Sequence, residues 1–257
     1  MSRRVGPSGR GALPVHAPVD RLHGVITIDS LFAVNAGHTL FMKQFRLSVE
    51  NDNVRRLLVQ SDFVNAGVTG SFRWSSFRNT FRRFAVQFFP SFLPYDGKNG
   101  AQQPNDLSFY VYLMHADTLL HVLGNTDISM PKLQTLQGYV HESSNDYALQ
   151  LYIPSVLSGN SAYKDITLSL NNDDRQGNLA LSLLSHTIDP DSTQLRIGDI
   201  GVFLATTARS DSLLTTLRLG SGMNFSNAAP IEVHTHLSRY NSRPFVSAHI
   251  LPADFVL

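Results

Sequence analysis

At 257 residues and 28.5 kDa, 42% apolar and without cysteine, the chain is long enough for one large domain. It cannot have a disulfide framework, a thiolate nucleophile or a cysteine-held metal. Only 16% of residues are charged, against about 25% in typical soluble domains, and the net charge of +1 gives no global field for steering nucleic acid.

Residues 1–22 hold Pro7, Pro14, Pro18, Gly6, Gly9, Gly11 and the arginines Arg3, Arg4, Arg10 and Arg21. Prolines break any helix there and the few apolar groups cannot offset ordering entropy, so an extended N-terminal arm is expected. Met1-Ser2-Arg3-Arg4 has no apolar stretch behind it, so no secretory signal is expected. No run of about 18 apolar residues occurs anywhere, and no membrane span is expected.

From His23 onward, short alternating apolar runs recur between Gly/Asn/Asp/Ser/Pro clusters, the pattern of β-strands. First strands are expected at His23–Val34 and Thr39–Val49, followed by a short helix, roughly Val54 to Phe63, capped by Asn51-Asp52-Asn53. Around Phe72–Phe92, Phe77, Phe81, Phe84 and Phe88 fit helical spacing, but Phe81–Phe89 also alternates. The preferred reading is a helical turn near Ser75–Asn79 running into a strand. Pro90–Pro104 is read as a loop, Leu107–His115 as the clearest strand, and Thr118–Leu123 as a helix capped by Asp117. Further strands are expected at Leu136–His141, Tyr147–Ile153, Ile166–Leu170, Leu179–Leu184, Gly198–Thr206, Leu213–Leu219 and Ile231–Ser238. The whole is about ten strands in a single all-β domain over residues 23–257, with no alternation of helix and strand that would suggest a parallel sheet.

An arm, two strands, a capped short helix, an aromatic segment, a long loop and then paired strands together resemble the jelly-roll capsid proteins of picorna-like viruses. Tyr147–Pro154, a strand ending on Pro, resembles a local feature of that family. So do Gly198–Ala205 and Val233–Tyr240, which look like its penultimate and last strands. The resemblance implies an eight-stranded antiparallel jelly-roll sandwich with short helices in its loops. It also implies a structural, non-enzymatic coat subunit of an icosahedral RNA virus, assembled in host cytoplasm into a virion. Its partners would be homologous capsid subunits, genomic RNA through the arm, and a host receptor, with no cofactor and no metal. A lectin-like β-sandwich binding carbohydrate or another ligand is the alternative, with Tyr95-Asp96-Gly97 or Tyr240-Asn241 as its candidate contacts.

Arg3, Arg4 and Arg10 are the candidate RNA contacts, because guanidinium groups neutralise phosphate. In the segment Phe72, Arg73, Trp74, Phe77, Arg78, Arg82, Arg83 and Phe84, stacking on nucleic acid competes with core aromatics flanked by solvated arginines. A subunit interface through Trp74, Phe77, Arg78 and Arg82 is the favoured functional reading. His234-Thr235-His236 has the imidazole spacing of cupin metal sites, but no carboxylate follows until Asp254, so interface or surface histidines are expected. Asp173-Asp174-Arg175 resembles a precursor-cleavage loop of some insect picorna-like viruses with its aromatic lost, and reads as ordinary turn chemistry. No nucleophile elbow or phosphate-binding loop is present.

Overall fold

A computed structural model describes residues 20, 22–35, 38–52, 54–91, 104–124, 127–131, 133–159, 161–173, 176–187, 199–225, 228–240 and 243–251. The strands are β1 (Gly24–Ile28), β2 (Leu31–Asn35), β3 (His38–Met42), β4 (Phe45–Asn51), β5 (Arg55–Ser61) and β6 (Val64–Ser71). A 3₁₀ turn (Trp74–Ser76) and helix α1 (Phe77–Phe88) follow, then β7 (Asp106–Leu113), α2 (Ala116–Val122), β8 (Ile128–Ser129) and β9 (Gln134–His141). The longest strands come next: β10 (Asp146–Ser158), β11 (Ser161–Asp173) and β12 (Gln176–Thr187). After them stand β13 (Ile200–Arg209), β14 (Ser212–Ser221), β15 (Ile231–Tyr240) and β16 (Arg243–Ile250).

Fourteen strands make one antiparallel sheet in the order β1-β4-β5-β6-β7-β9-β10-β11-β12-β13-β14-β15-β16, with β8 pairing the far end of β10 and β2–β3 forming a separate hairpin. The all-β expectation holds. The eight-stranded jelly roll does not describe these strands: a jelly roll crosses between two sheets by Greek-key connections, whereas here nearly every strand pairs with the one before it in sequence.

Three local expectations are also corrected. Val54–Phe63 is not a helix. Leu57 and Val59 share one face of β5, and Asn51 and Asp52 lie at the β4–β5 hairpin, where turn chemistry and cap chemistry use the same residue types, while Asn53 lies outside the described residues. The aromatic segment is the helix α1 instead of a turn leading into a strand. β10 continues through Pro154 to Ser158, with Ile153 paired to Ile166 and Ser155 to Lys164, so Pro154 lies inside the strand opposite Asp165.

Two small cores stand at opposite ends of the strands. At one end Phe84 and Phe88 of α1 pack edge-on against Tyr147, with ring centroids 4.7 and 6.2 Å apart, and Val140, Leu170 and Ala208 close around them. At the other, Leu40 and Met42 of the hairpin meet Phe63, Leu119 and Val122, and Asn35 Nδ2 donates to the Val122 carbonyl at 2.7 Å.

A buried polar knot pins the start of α1. Asn105, 1% exposed, donates from Nδ2 to Thr80 Oγ1 (2.5 Å) and Ser76 Oγ (2.8 Å), and its Oδ1 accepts from the Arg73 N–H (2.8 Å). Glu142 Oε2 accepts from Thr80 Oγ1 and from the Asn105 N–H, both at 3.0 Å, and Arg83 pairs with Glu142 Oε1. The far end of α1 docks on the β13–β14 turn. There Ser210 and Asp211 adopt φ of 50° and 64°, as a two-residue hairpin of opposite-handed turn requires. The Asp211 N–H donates to the Phe88 carbonyl (2.7 Å) and its carboxylate accepts from the Ser91 N–H (3.1 Å).

Burial in the Phe84–Phe88 cluster pushes the Tyr147 phenol up to about 12. Its proton is held more tightly in the folded chain, so its contribution to stability is complete below pH 10 and is lost between about pH 10 and 12. Absorbance titration is expected to show a latest phenol at about 12, beyond the lesser rises at Tyr139 and Tyr152, and urea midpoints are expected to fall above pH 10. Tyr147→Phe should remove that late phenol from the titration.

Candidate functional site: an aliphatic sheet face

Side chains opposite each other in a ladder share a face, so the register maps both faces of the sheet. One row begins at Ile26 on β1 and passes through Leu47, Val59 and Ala66. It continues without interruption through Val111, Leu136, Leu151 and Leu168. It ends through Leu181, Leu204, Leu217 and Ile231 on β15. Twelve consecutive strands thus contribute an aliphatic residue, and at about 4.8 Å per strand the row is about 53 Å long. A parallel row includes Val49, Leu57, Val68, Phe109, Leu149 and Leu170, and no charged residue falls in either. The opposite face is polar, with Arg46, Gln60, Tyr110, Gln137, Gln150, Ser169 and Glu232 in the corresponding strands.

None of the twelve side chains is fully buried. Ile26 is exposed and the other eleven are half-buried, while most of the fully buried apolar residues gather in the end clusters and around the base of α1. Aliphatic surface of this extent facing water is costly, at about 25 cal/mol per Å², and extended apolar patches on soluble proteins mark binding surfaces.

The segment from Trp74 to Phe88 sets the curvature. Trp74 shares a small cleft with Leu22, Val49 and Leu57. Beside it, Asp20 accepts from Ser75 Oγ (2.5 Å) and Arg55 Nη1 (3.2 Å), tying the 3₁₀ turn to β5. Phe88 reaches β12 and β13, where Gly177 leaves room for its ring and Ala208 packs against it. The path along the sheet from β5 to β13 is seven strand spacings, about 34 Å. The helical path is only about 24 Å. The sheet therefore bows around α1 with its aliphatic face inside. An outer-membrane barrel has the reverse polarity, with its apolar band outward. Among the described residues, no helix is long and apolar enough to cross a membrane.

Partial burial pushes the Asp20 carboxyl up, but the bonds from Ser75, the Trp74 N–H and Arg55 outweigh it and hold the group below its ordinary value. That anchor contributes stability above the ordinary carboxylate range and loses it as pH falls through the lowered value.

Of the residues expected to act, Arg3, Arg4 and Arg10 lie outside the described residues, as do Tyr95-Asp96-Gly97, Asp174 and Arg175. Trp74 is half-buried, its ring edge-on to Phe72 at 4.9 Å, and Arg82 is exposed on α1. Phe77 and Arg78 open α1; only their backbone is described. His234 and His236 are exposed on the polar face, opposite His249 and Ser247, and the described residues hold no group of three potential metal ligands. Inspection of the sequence missed the aliphatic row, although each strand's alternation hinted at one apolar face.

No family model, curated protein or solved structure matches this chain.

Proposed function

We propose that this protein holds elongated apolar ligands, acyl chains above all, along the inner aliphatic face of its curved sheet. The supporting observation is the uncharged row from Ile26 to Ile231, partly open to solvent and flanked by the two cores at the ends of the strands. A surface that is aliphatic in two dimensions and long in one suits flexible chains better than a compact polar substrate, and binding scales at about 0.8 kcal/mol per buried methylene. Organic extraction of the purified protein followed by mass spectrometry is expected to recover co-purified lipid. An anthroyloxy-labelled stearate should bind saturably, with affinity rising with acyl length. Folded protein that carries no lipid and does not bind the probe would overturn the reading.

A second reading is the coat subunit, which finds support at the exposed edge strand β16. The Leu251 N–H donates to the Glu232 carbonyl at 2.8 Å, so the alternating residues Ile250, Ala248 and Val246 direct their backbone N–H and C=O groups away from β15. Among the described residues no strand pairs this edge, and such an edge can pair with a sister copy. Electron microscopy of native material decides it: closed shells support the coat, and dispersed monomers under all ionic conditions sink it.

A further inference from the structure

The polar face carries a second feature that the acyl-chain reading does not use. On neighbouring strands β7, β9 and β10, Tyr110 stands opposite Gln137 and Gln137 opposite Gln150. In the adjoining rows lie Ser108, Tyr139 and Ala148, then Tyr112, Thr135 and Tyr152. Ser108 and Ala148 are small, so the taller tyrosines and glutamines around them border an open depression of about 460 Å³. Gln137, Gln150 and Ser108 are exposed, and Tyr152 is 39% exposed.

The aromatic rings are held in place. The Tyr110 ring lies over Gly67, where a Cβ would fall 2.6 Å from its Cε1, so only glycine lets the ring lie down on the sheet. Tyr110 and Tyr112 rings sit 5.2 Å apart. Tyr139 stacks on His141 at 4.8 Å, and its hydroxyl donates to Asp146 Oδ1 at 3.1 Å. Gln137 Nε2 donates to Gln150 Oε1 at 3.3 Å, leaving further amide donors and acceptors on both side chains to face a ligand.

No Asp, Glu, Lys, Arg or His lines the depression. A phosphate-bearing chain needs cations at its backbone, and an amino acid needs a counter-charge for each end. A class that suits exposed tyrosines beside free amides is a neutral ring with one apolar C–H face and hydroxyls at its rim. Such a ring stacks on a tyrosine and shares hydrogen bonds with amides. We infer that the depression walled by Tyr110, Tyr112, Tyr139, Gln137 and Gln150 is a binding site for an uncharged saccharide.

The test is titration of the full chain with cellohexaose, chitohexaose and maltohexaose, followed by calorimetry and by amide chemical shifts. At least one probe is expected to saturate below about 10 mM, with shifts centred on β7, β9 and β10. Tyr139→Ala and Gln137→Ala should each weaken it at least about tenfold. Gly67→Ala, which lifts the Tyr110 ring without removing it, should also weaken binding. Thr216→Ala, on the same polar face five strands from β9, should leave it unchanged. Gln137→Ala removes an exposed amide, so it keeps the test valid if the tyrosine variant fails to fold. Absence of saturation with all three probes overturns the inference, and so does full binding by folded Gln137→Ala and Tyr139→Ala. Stearate binding is read in the same samples, so the two sites stand or fall separately.

Discussion

Leu151→Lys combined with Leu168→Lys is expected to abolish acyl-chain binding while the protein stays folded. These residues are directly opposite each other on β10 and β11, in the middle of the aliphatic row. Both are half-buried with an outlet to solvent, so a lysine at either position can carry its ammonium to water along its own stem, and the strands keep their pairing. A ligand crossing that point must desolvate two like charges or leave the surface. Losing contact over four or five methylenes removes about 3–4 kcal/mol, a factor of several hundred in affinity. Thr216→Lys, on the polar face, should leave binding unchanged. The measurement is stearate-probe titration alongside far-ultraviolet circular dichroism. Undiminished binding by the folded double variant would remove the basis of the proposed function.

Asn105→Ala is expected to cost about 3 kcal/mol of stability, among the largest effects of any single polar change in this chain. The side chain is 1% exposed and serves three partners at once: the Arg73 N–H, Ser76 and Thr80. Removing it leaves a buried donor without its acceptor and opens a void where neither strand nor helix can close. The urea midpoint should drop with little change in slope. Thr80→Val on top of Asn105→Ala should cost less than it does alone, because both belong to one network. Strictly additive losses would show that the knot is two separate contacts.

Much of the strand inventory was legible because its residues alternate cleanly. Leu107–His115 became β7, and the runs from Leu136 to Ser238 became β9 to β15, although β10, β11 and β12 run to about double the expected length or more. What failed did so for identifiable reasons. In β5, Leu57 and Leu58 are both apolar, and this doublet breaks the period of two and imitates a helix. In α1 the phenylalanines fit both periods, and the contact that decides is remote, since Tyr147 lies 59 positions from Phe88 in the chain. β16 was missed because Pro244 argues against a strand. It stands opposite Arg239 at a position whose backbone faces away from β15, where a missing N–H costs nothing. The site was less legible than the fold. Each strand showed an apolar side, but only the register aligns twelve of them into one row, and register is set by turns and tertiary packing.

Strand order that follows chain order has a consequence for how such a molecule forms and changes. Most strand pairings join consecutive elements, so once one hairpin has formed the next strand can add beside it at a modest loop-closure cost. Stability then approaches a sum over units and their junctions, as in solenoids. Duplicating or deleting one hairpin would lengthen or shorten the aliphatic row by about 10 Å without redesigning the remainder.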